Sequence, residues 1–212
     1  MSTLAPALRK FTLTAHVTSS VGFLGAIAAF LALAIAGLSS KEGHIVRGAY
    51  VAMELTAWSV IVPLAIASLV TGVVQALGTE WGLFRHWWVA VKLLISIVAT
   101  GILLVYMMYR QTLGELAALA AASDEVTGLR SPSPVLHATA GLVLLLTATT
   151  LSVYKPRGMT PFGARNLERV SSTSTPRWVK MLGITALCVA LLAVLLMTGV
   201  GSGHGPGQHF GQ

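Results

Sequence analysis

Four ionisable side chains stand inside long apolar runs of this chain: His16, Glu54, Lys92 and His137. A charge at the centre of a membrane helix costs about 2.5–3.5 kcal/mol or more, so each demands either a structural partner or a task. His16 and Lys92 are both potential cations and cannot neutralise each other. Lys92 must therefore shed its proton, reach water near Arg85, or meet an anion such as a propionate, carboxylate or phosphate. A neutral His16 imidazole is a ligand for haem iron, and helix bundles build cofactor sites from side chains on facing helices. The purely structural alternative has His16 bonded to Thr12, Ser19 or Ser20 and Lys92 stretched toward the interface. Glu54 with His137 forms either a proton relay or a structural ion pair.

Those residues need elements to carry them, and composition names the kind. The chain has 212 residues, 55% of them hydrophobic and only 10% charged, with a mean hydropathy of +0.78. That is too apolar for a water-soluble domain and far too apolar for disorder, while a single cysteine, Cys188, excludes a disulfide scaffold. A hydrocarbon core of about 30 Å takes roughly 20 helical residues. Five stretches are long enough: Phe11 to Leu38, Tyr50 to Leu77, Trp87 to Tyr109, Val135 to Tyr154 and Met181 to Val200. Backbone polar groups must be satisfied inside lipid, so these are helices. The expected fold is an all-α polytopic membrane protein: a four-helix transmembrane bundle over 1–154, a basic linker over 155–180, a peripheral fifth transmembrane helix over 181–200, and a glycine-rich tail over 201–212. A short helix is expected at Leu113 to Ala122, ended by Ser131-Pro132-Ser133-Pro134.

Helical spacing groups the polar residues. His16 shares a face with Thr12, Ser19, Ser20 and Phe23, and Lys92 with Ser96, Ala99 and Thr100. In the second span Glu54, Trp58, Ile61, Ala65, Ser68, Gly72 and Gln75 form one seam whose small residues admit a close neighbour. Pro63 is expected to kink that span and free a carbonyl. His16 and Lys92 each lie about five residues, roughly 8 Å, inside one boundary, with Gln75 and Thr149 or Thr150 near the same depth. Glu54 and His137 lie toward the opposite side. His86, in Arg85-His86-Trp87-Trp88, is an interfacial anchor or a second axial ligand.

Charge sets the expected orientation. With the N-terminus inside, Arg9, Lys10, Arg85, Lys155, Arg157, Arg165, Arg169, Arg177 and Lys180 are cytoplasmic, against Lys41, Arg47, Arg110 and Arg130 outside, nine to four. Trp81, Trp87, Trp88, Tyr154 and Trp178 are expected as anchors at the inner boundary, and Tyr50 and Tyr109 at the outer. The net charge of +7 is read as contact with anionic lipid head groups; no phosphate-cradling loop or basic-aromatic module points to nucleic acid. Expected partners are membrane lipids, with a membrane-protein partner or a second copy of the chain.

The stretches Leu13-Thr14-Ala15-His16-Val17, Gly78-Thr79-Glu80-Trp81-Gly82, Arg85-His86-Trp87-Trp88-Val89-Ala90-Val91-Lys92-Leu93 and Leu151-Ser152-Val153-Tyr154-Lys155-Pro156-Arg157-Gly158 resemble an uncharacterised bacterial integral membrane protein family, over about Phe11 to Gly163. The first-helix histidine and the Trp-x-x-x-Lys of the third helix are more distantly similar to CopD copper-resistance proteins and to the HemJ-type protoporphyrinogen oxidase. The latter resemblance implies haem b or tetrapyrrole handling, with His16 and Lys92 at the matching positions, His16 as metal ligand. The former implies copper uptake.

Three functions follow as expectations. The first is a bacterial inner-membrane protein binding haem b or a porphyrin with a redox role, through His16, Lys92, Gln75 and His86. The second is a proton-coupled transporter using Glu54, Lys92 and His137, and the third is an assembly subunit of a membrane complex. The orientation is tested directly: a reporter fused after Gln212 is expected to work only outside the cytoplasm, and cytoplasmic activity there would reverse the topology.

Overall fold

The computed structural model describes residues 4–79, 82–108, 113–122, 130–165, 177 and 181. The expected fifth helix beyond Met181, the tail and most of the linker past 165 lie outside the described residues, as do Trp81, Tyr109 and Trp178. Among the described residues, eight helical segments appear in order: α1 (Pro6–Ser39), α2 (Gly43–Thr56), a π-helical turn (Ala57–Ile61), α3 (Val62–Leu77), α4 (Trp87–Met108), α5 (Leu113–Ala122), α6 (Ser133–Tyr154) and the short α7 (Pro161–Arg165). No strand occurs among the described residues. Among the described residues, four helical stretches are long and apolar enough to cross a membrane. The chain is an all-α polytopic bundle.

Sequence chemistry accounts for the boundaries. Pro6 opens α1 and Pro134 lies in the first turn of α6, where a missing N–H costs nothing. The run Ser131-Pro132-Ser133-Pro134 lies between α5 and α6, and its second half already forms the first turn of α6. Pro63 does not break its helix. The chain widens into the π turn just ahead of it, with the Val62 N–H reaching the Ala57 carbonyl five residues back, and α3 runs on. Proline has no N–H for the Ser59 carbonyl and its ring crowds that position, which the wider turn relieves. Tyr50, Met53, Ala57, Ile61 and Ala65 make the buried seam of this span. Trp58, expected on it, is 48% exposed, because the five-residue turn departs from the 3.6-residue register.

Packing pairs α1 with α2 and α3, α3 with α4, α4 with α6, and α6 back to α1, which closes an up-and-down four-helix bundle. Its core gathers Phe23, Ile27 and Phe30 of α1 with Met53, Ile61, Tyr106 and Ala138; a second cluster of Val91, Ile95, Leu144, Ala148 and Leu151 joins α4 to α6. Large apolar side chains such as Phe11, Val21, Leu55 and Val153 point outward, as lipid contact requires. Helix α5 lays Leu113, Ala117 and Ala120 inward, packing on α2.

Both bundle ends are tied. At one, the Thr160 N–H donates to the Arg85 carbonyl at 3.0 Å, the Trp87 N–H to the Gly158 carbonyl at 3.3 Å, and the Thr160 hydroxyl to the Phe84 carbonyl. Gly158 adopts φ 147°, a backbone shape open to glycine, and lets the chain turn back beneath α4. At the other end Arg130 donates to the Ser40 carbonyl at 2.8 Å and the Ser131 N–H to the Tyr50 hydroxyl at 3.1 Å. Tyr50 is 1% exposed, so it is a core residue rather than the expected interfacial anchor; Trp88 is likewise buried, whereas Tyr154 is outward.

A Cβ at Gly37 would stand 3.2 Å from the Tyr50 ring, whereas one at Gly25 meets nothing within 4 Å. Gly37→Leu is expected to lower stability by about 1–3 kcal/mol through overpacking, and Gly25→Ala to be neutral or slightly stabilising. Thermal unfolding in mild detergent measures both.

Candidate functional site

The first site grows from one histidine on α1. His16 reaches across to α3, where its Nδ1 lies 3.1 Å from the Ser68 carbonyl and 3.2 Å from the Thr71 hydroxyl. A carbonyl can only accept, so Nδ1 carries the hydrogen and Nε2 keeps its lone pair. Lys92 of α4 brings its Nζ to 3.5 Å from that Nε2, as donor. Three spans thus meet at one imidazole. The conflict between two cations is met internally: a neutral imidazole accepts from the amine, and its partners on the other side are Ser68 and Thr71 instead of the expected Thr12, Ser19 or Ser20. Lys92 turns inward instead of toward the interface. Thr12 donates to Leu8 and Arg9 carbonyls, and Ser19 to the carbonyl of His16 itself.

Small residues make the approach possible. A Cβ at Gly72 would lie 2.9 Å from His16 Cε1, closer than packing allows. One turn away the hydroxyls of Ser20 and Ser68 bond each other at 2.7 Å, which pins α1 to α3 at the same level. Among the described residues, no hydrogen bond joins Gln75 to His16 or Lys92. Thr149 and Thr150 are exposed and bonded to their own helix at Leu145 and Leu146, so they do not reach this layer. His86 lies in the end clamp, its backbone bridged to Met159.

Glu54 and His137 are not joined. Glu54 belongs to the contact with α5, where a Cβ at Gly114 would come within 3.2 Å of its Oε1. Its carboxylate thus stands beside Gly114 of α5. His137 turns the other way. Its Nδ1 donates to the Ser133 carbonyl at 2.8 Å, and its ring stacks on Tyr106 with centroids 4.4 Å apart and planes 26° apart. Its Nε2 is buried and, among the described residues, has no hydrogen-bond partner. Leaving such an acceptor unpaired costs about 1–3 kcal/mol.

That ring borders a cavity of about 70 Å³ walled by α1, the π turn, α4 and α6. Sequence reasoning missed both the cavity and the Tyr106 stack. The residues were in view: Ala138, Ala140 and Gly141 leave room that Phe23 and Phe30 do not fill, but which aromatic faces which small residue depends on how the helices are rotated.

Gly72→Ala is expected to push the imidazole off the Ser68 carbonyl and cost about 1–2 kcal/mol, with a changed His16 ring signal by NMR; the same change at Gly48, whose Cβ would meet nothing within 4 Å, is expected to leave both unaltered. Comparison with family models, curated proteins and solved structures returned no match, so the site is read from its own geometry.

Proposed function

We propose that this integral membrane protein binds haem b or a related porphyrin at the His16–Lys92 layer and serves a redox role in the bacterial cytoplasmic membrane, with its N-terminus inside. One observation carries the reading. An imidazole whose Nδ1–H is committed to the Ser68 carbonyl presents Nε2 as a lone pair, the state in which histidine binds iron, and the carbonyl raises its basicity. The residues fit the group in charge as well. Lys92, the cation beside Nε2, is suited to a propionate, and its flexible stem lets the ammonium leave the imidazole for a carboxylate. Haem would supply one-electron chemistry. The protein would hold it, set its potential through the burial of His16 and Lys92, and keep water away with the apolar walls of α1, α3 and α4.

The first-helix histidine and the Trp88-x-x-x-Lys92 stretch are distantly similar to HemJ-type oxidases and CopD proteins alike; a lysine beside the imidazole, an anion partner and not a copper ligand, supports the tetrapyrrole. Gln75 and His86 belong to this proposal as flanking residues, not ligands placed at Nε2. Proton-coupled transport has less support: it drew on a helix broken at Pro63 and on a Glu54–His137 pair, and the helix continues while the pair is apart.

The test is a spectrum of the full chain purified in mild detergent from haem-replete cells. A Soret band with reduced-minus-oxidised changes is expected, lost in His16→Ala. Lys92→Ala should weaken haem retention about tenfold or more, since a charge-assisted hydrogen bond is worth about 1.5–3 kcal/mol. A colourless wild-type sample, or a Soret band indifferent to His16→Ala, would sink the proposal.

A further inference from the structure

The π turn carries two polar side chains on the outside of the bundle. Trp58 is 48% exposed and Ser59 is exposed beside it, with Leu55 and Ile66 continuing the outward stripe along the span. Both lie deep. They stand eight and nine residues past Tyr50, roughly 12–14 Å into the apolar stretch and out of reach of the head groups among which tryptophan ordinarily sits. Among the described residues, neither the Trp58 indole N–H nor the Ser59 hydroxyl has a hydrogen-bond partner. The hydroxyls of Thr71, Ser96, Thr139 and Thr147, by contrast, each donate to the carbonyl four residues back in their own helix. Pro63 adds accepting capacity at the same place, since it has no N–H to give the Ser59 carbonyl.

Hydrocarbon offers neither donor nor acceptor, so this patch is incomplete in a bilayer. Whatever completes it must itself be embedded in the membrane, reach that depth and bring donors and acceptors together. A second copy of the chain meets all three conditions. Copies of one chain insert in one orientation, so the two-fold axis relating a pair runs along the membrane normal and brings like residues to the same depth. The patch has donors in the Trp58 N–H and the Ser59 O–H, and acceptors in the Ser59 hydroxyl and carbonyl oxygens, so it is complementary to itself across such an axis. The molecule already joins two of its own spans in this way, through the Ser20 and Ser68 hydroxyls at 2.7 Å. We infer that the chain forms a parallel two-fold dimer through the outer face of the π turn, Trp58 and Ser59 of each copy hydrogen-bonding the same patch of the other while Leu55 and Ile66 pack around them. This goes beyond haem binding and uses none of the residues of the His16 layer.

Thiol trapping of the full chain in lipid vesicles tests it, with Cys188→Ser so that an introduced thiol is the only one. Ser59→Cys is expected to give a disulfide-linked dimer on mild oxidation. Val143→Cys is expected to stay monomeric under the same oxidation: Val143 is 46% exposed and eight residues past Val135, at the matching depth, but on α6, diagonally across the bundle from α3. Trp58→Phe keeps the ring and removes the N–H. Combined with Ser59→Ala, it is expected to raise the dimer dissociation constant about tenfold, at roughly threefold for each hydrogen bond lost between membrane helices, as read by energy transfer between labelled chains diluted in lipid. His16→Ala should leave that constant unchanged, whatever its effect on a haem spectrum. A wild-type chain that stays monomeric in vesicles, which would give the patch to another occupant, equal trapping at Val143 and Ser59, or a dimer indifferent to the paired Trp58→Phe and Ser59→Ala changes would each overturn the inference. Should Ser59→Cys fail to insert, the dilution measurements on the wild type and the paired variant decide it.

Discussion

An imidazole has one N–H to give when neutral, and in this protein His16 gives it to a backbone carbonyl on another helix. Everything at that level follows from this use of a single hydrogen. The other nitrogen must accept, so an amine can stand beside it, and Lys92 does so from a third helix. In lipid, where no water completes an unfinished shell, such a chain of donor and acceptor joins helices that have little hydrophobic reason to associate. Ser20 with Ser68 repeats the device one turn further in, between neutral groups.

The second histidine follows the same rule with a different outcome. His137 spends its hydrogen on the carbonyl one turn earlier in its own helix, so it joins no helices through that bond, and its second nitrogen is buried with no hydrogen-bond partner among the described residues. Both imidazoles commit their hydrogen to a carbonyl, but only His16 has an amine beside its second nitrogen. The bundle thereby holds a polar layer built from α1, α3 and α4 and, apart from it, an apolar cavity to which all four spans contribute.

Bulk and smallness govern where those sites can form. Gly72 lets the His16 ring lie against α3, and Gly37 lets the Tyr50 ring lie against α1. The π turn ahead of Pro63 shifts the seam of its span so that Ala57, Ile61 and Ala65 face inward in four-residue steps. A proline that would break a soluble helix is accommodated by widening one turn, and Ile61 and Ala57 of that turn line the cavity. Glu54, one turn before it, is engaged by α5, so the short helix between spans serves to cover a carboxylate.

Length, apolarity and the distribution of charge determined the class of this protein without any coordinates, since only helices of about 20 residues can carry so many apolar groups through a bilayer with their backbones satisfied. The four spans, the short helix Leu113–Ala122 and the depth shared by His16 and Lys92 were legible for that reason, because rise per residue and the 3.6-residue period are local properties. Partnership was not. That His16 would choose the Ser68 carbonyl over Ser19, that Glu54 would turn to α5 and His137 to Tyr106, and that a void would remain among small and aromatic residues, all depend on the rotation of each helix about its axis. Rotation is decided by contacts between residues far apart in the chain, and a π turn that no periodicity announces resets it midway through a span, so only the packed bundle determined them.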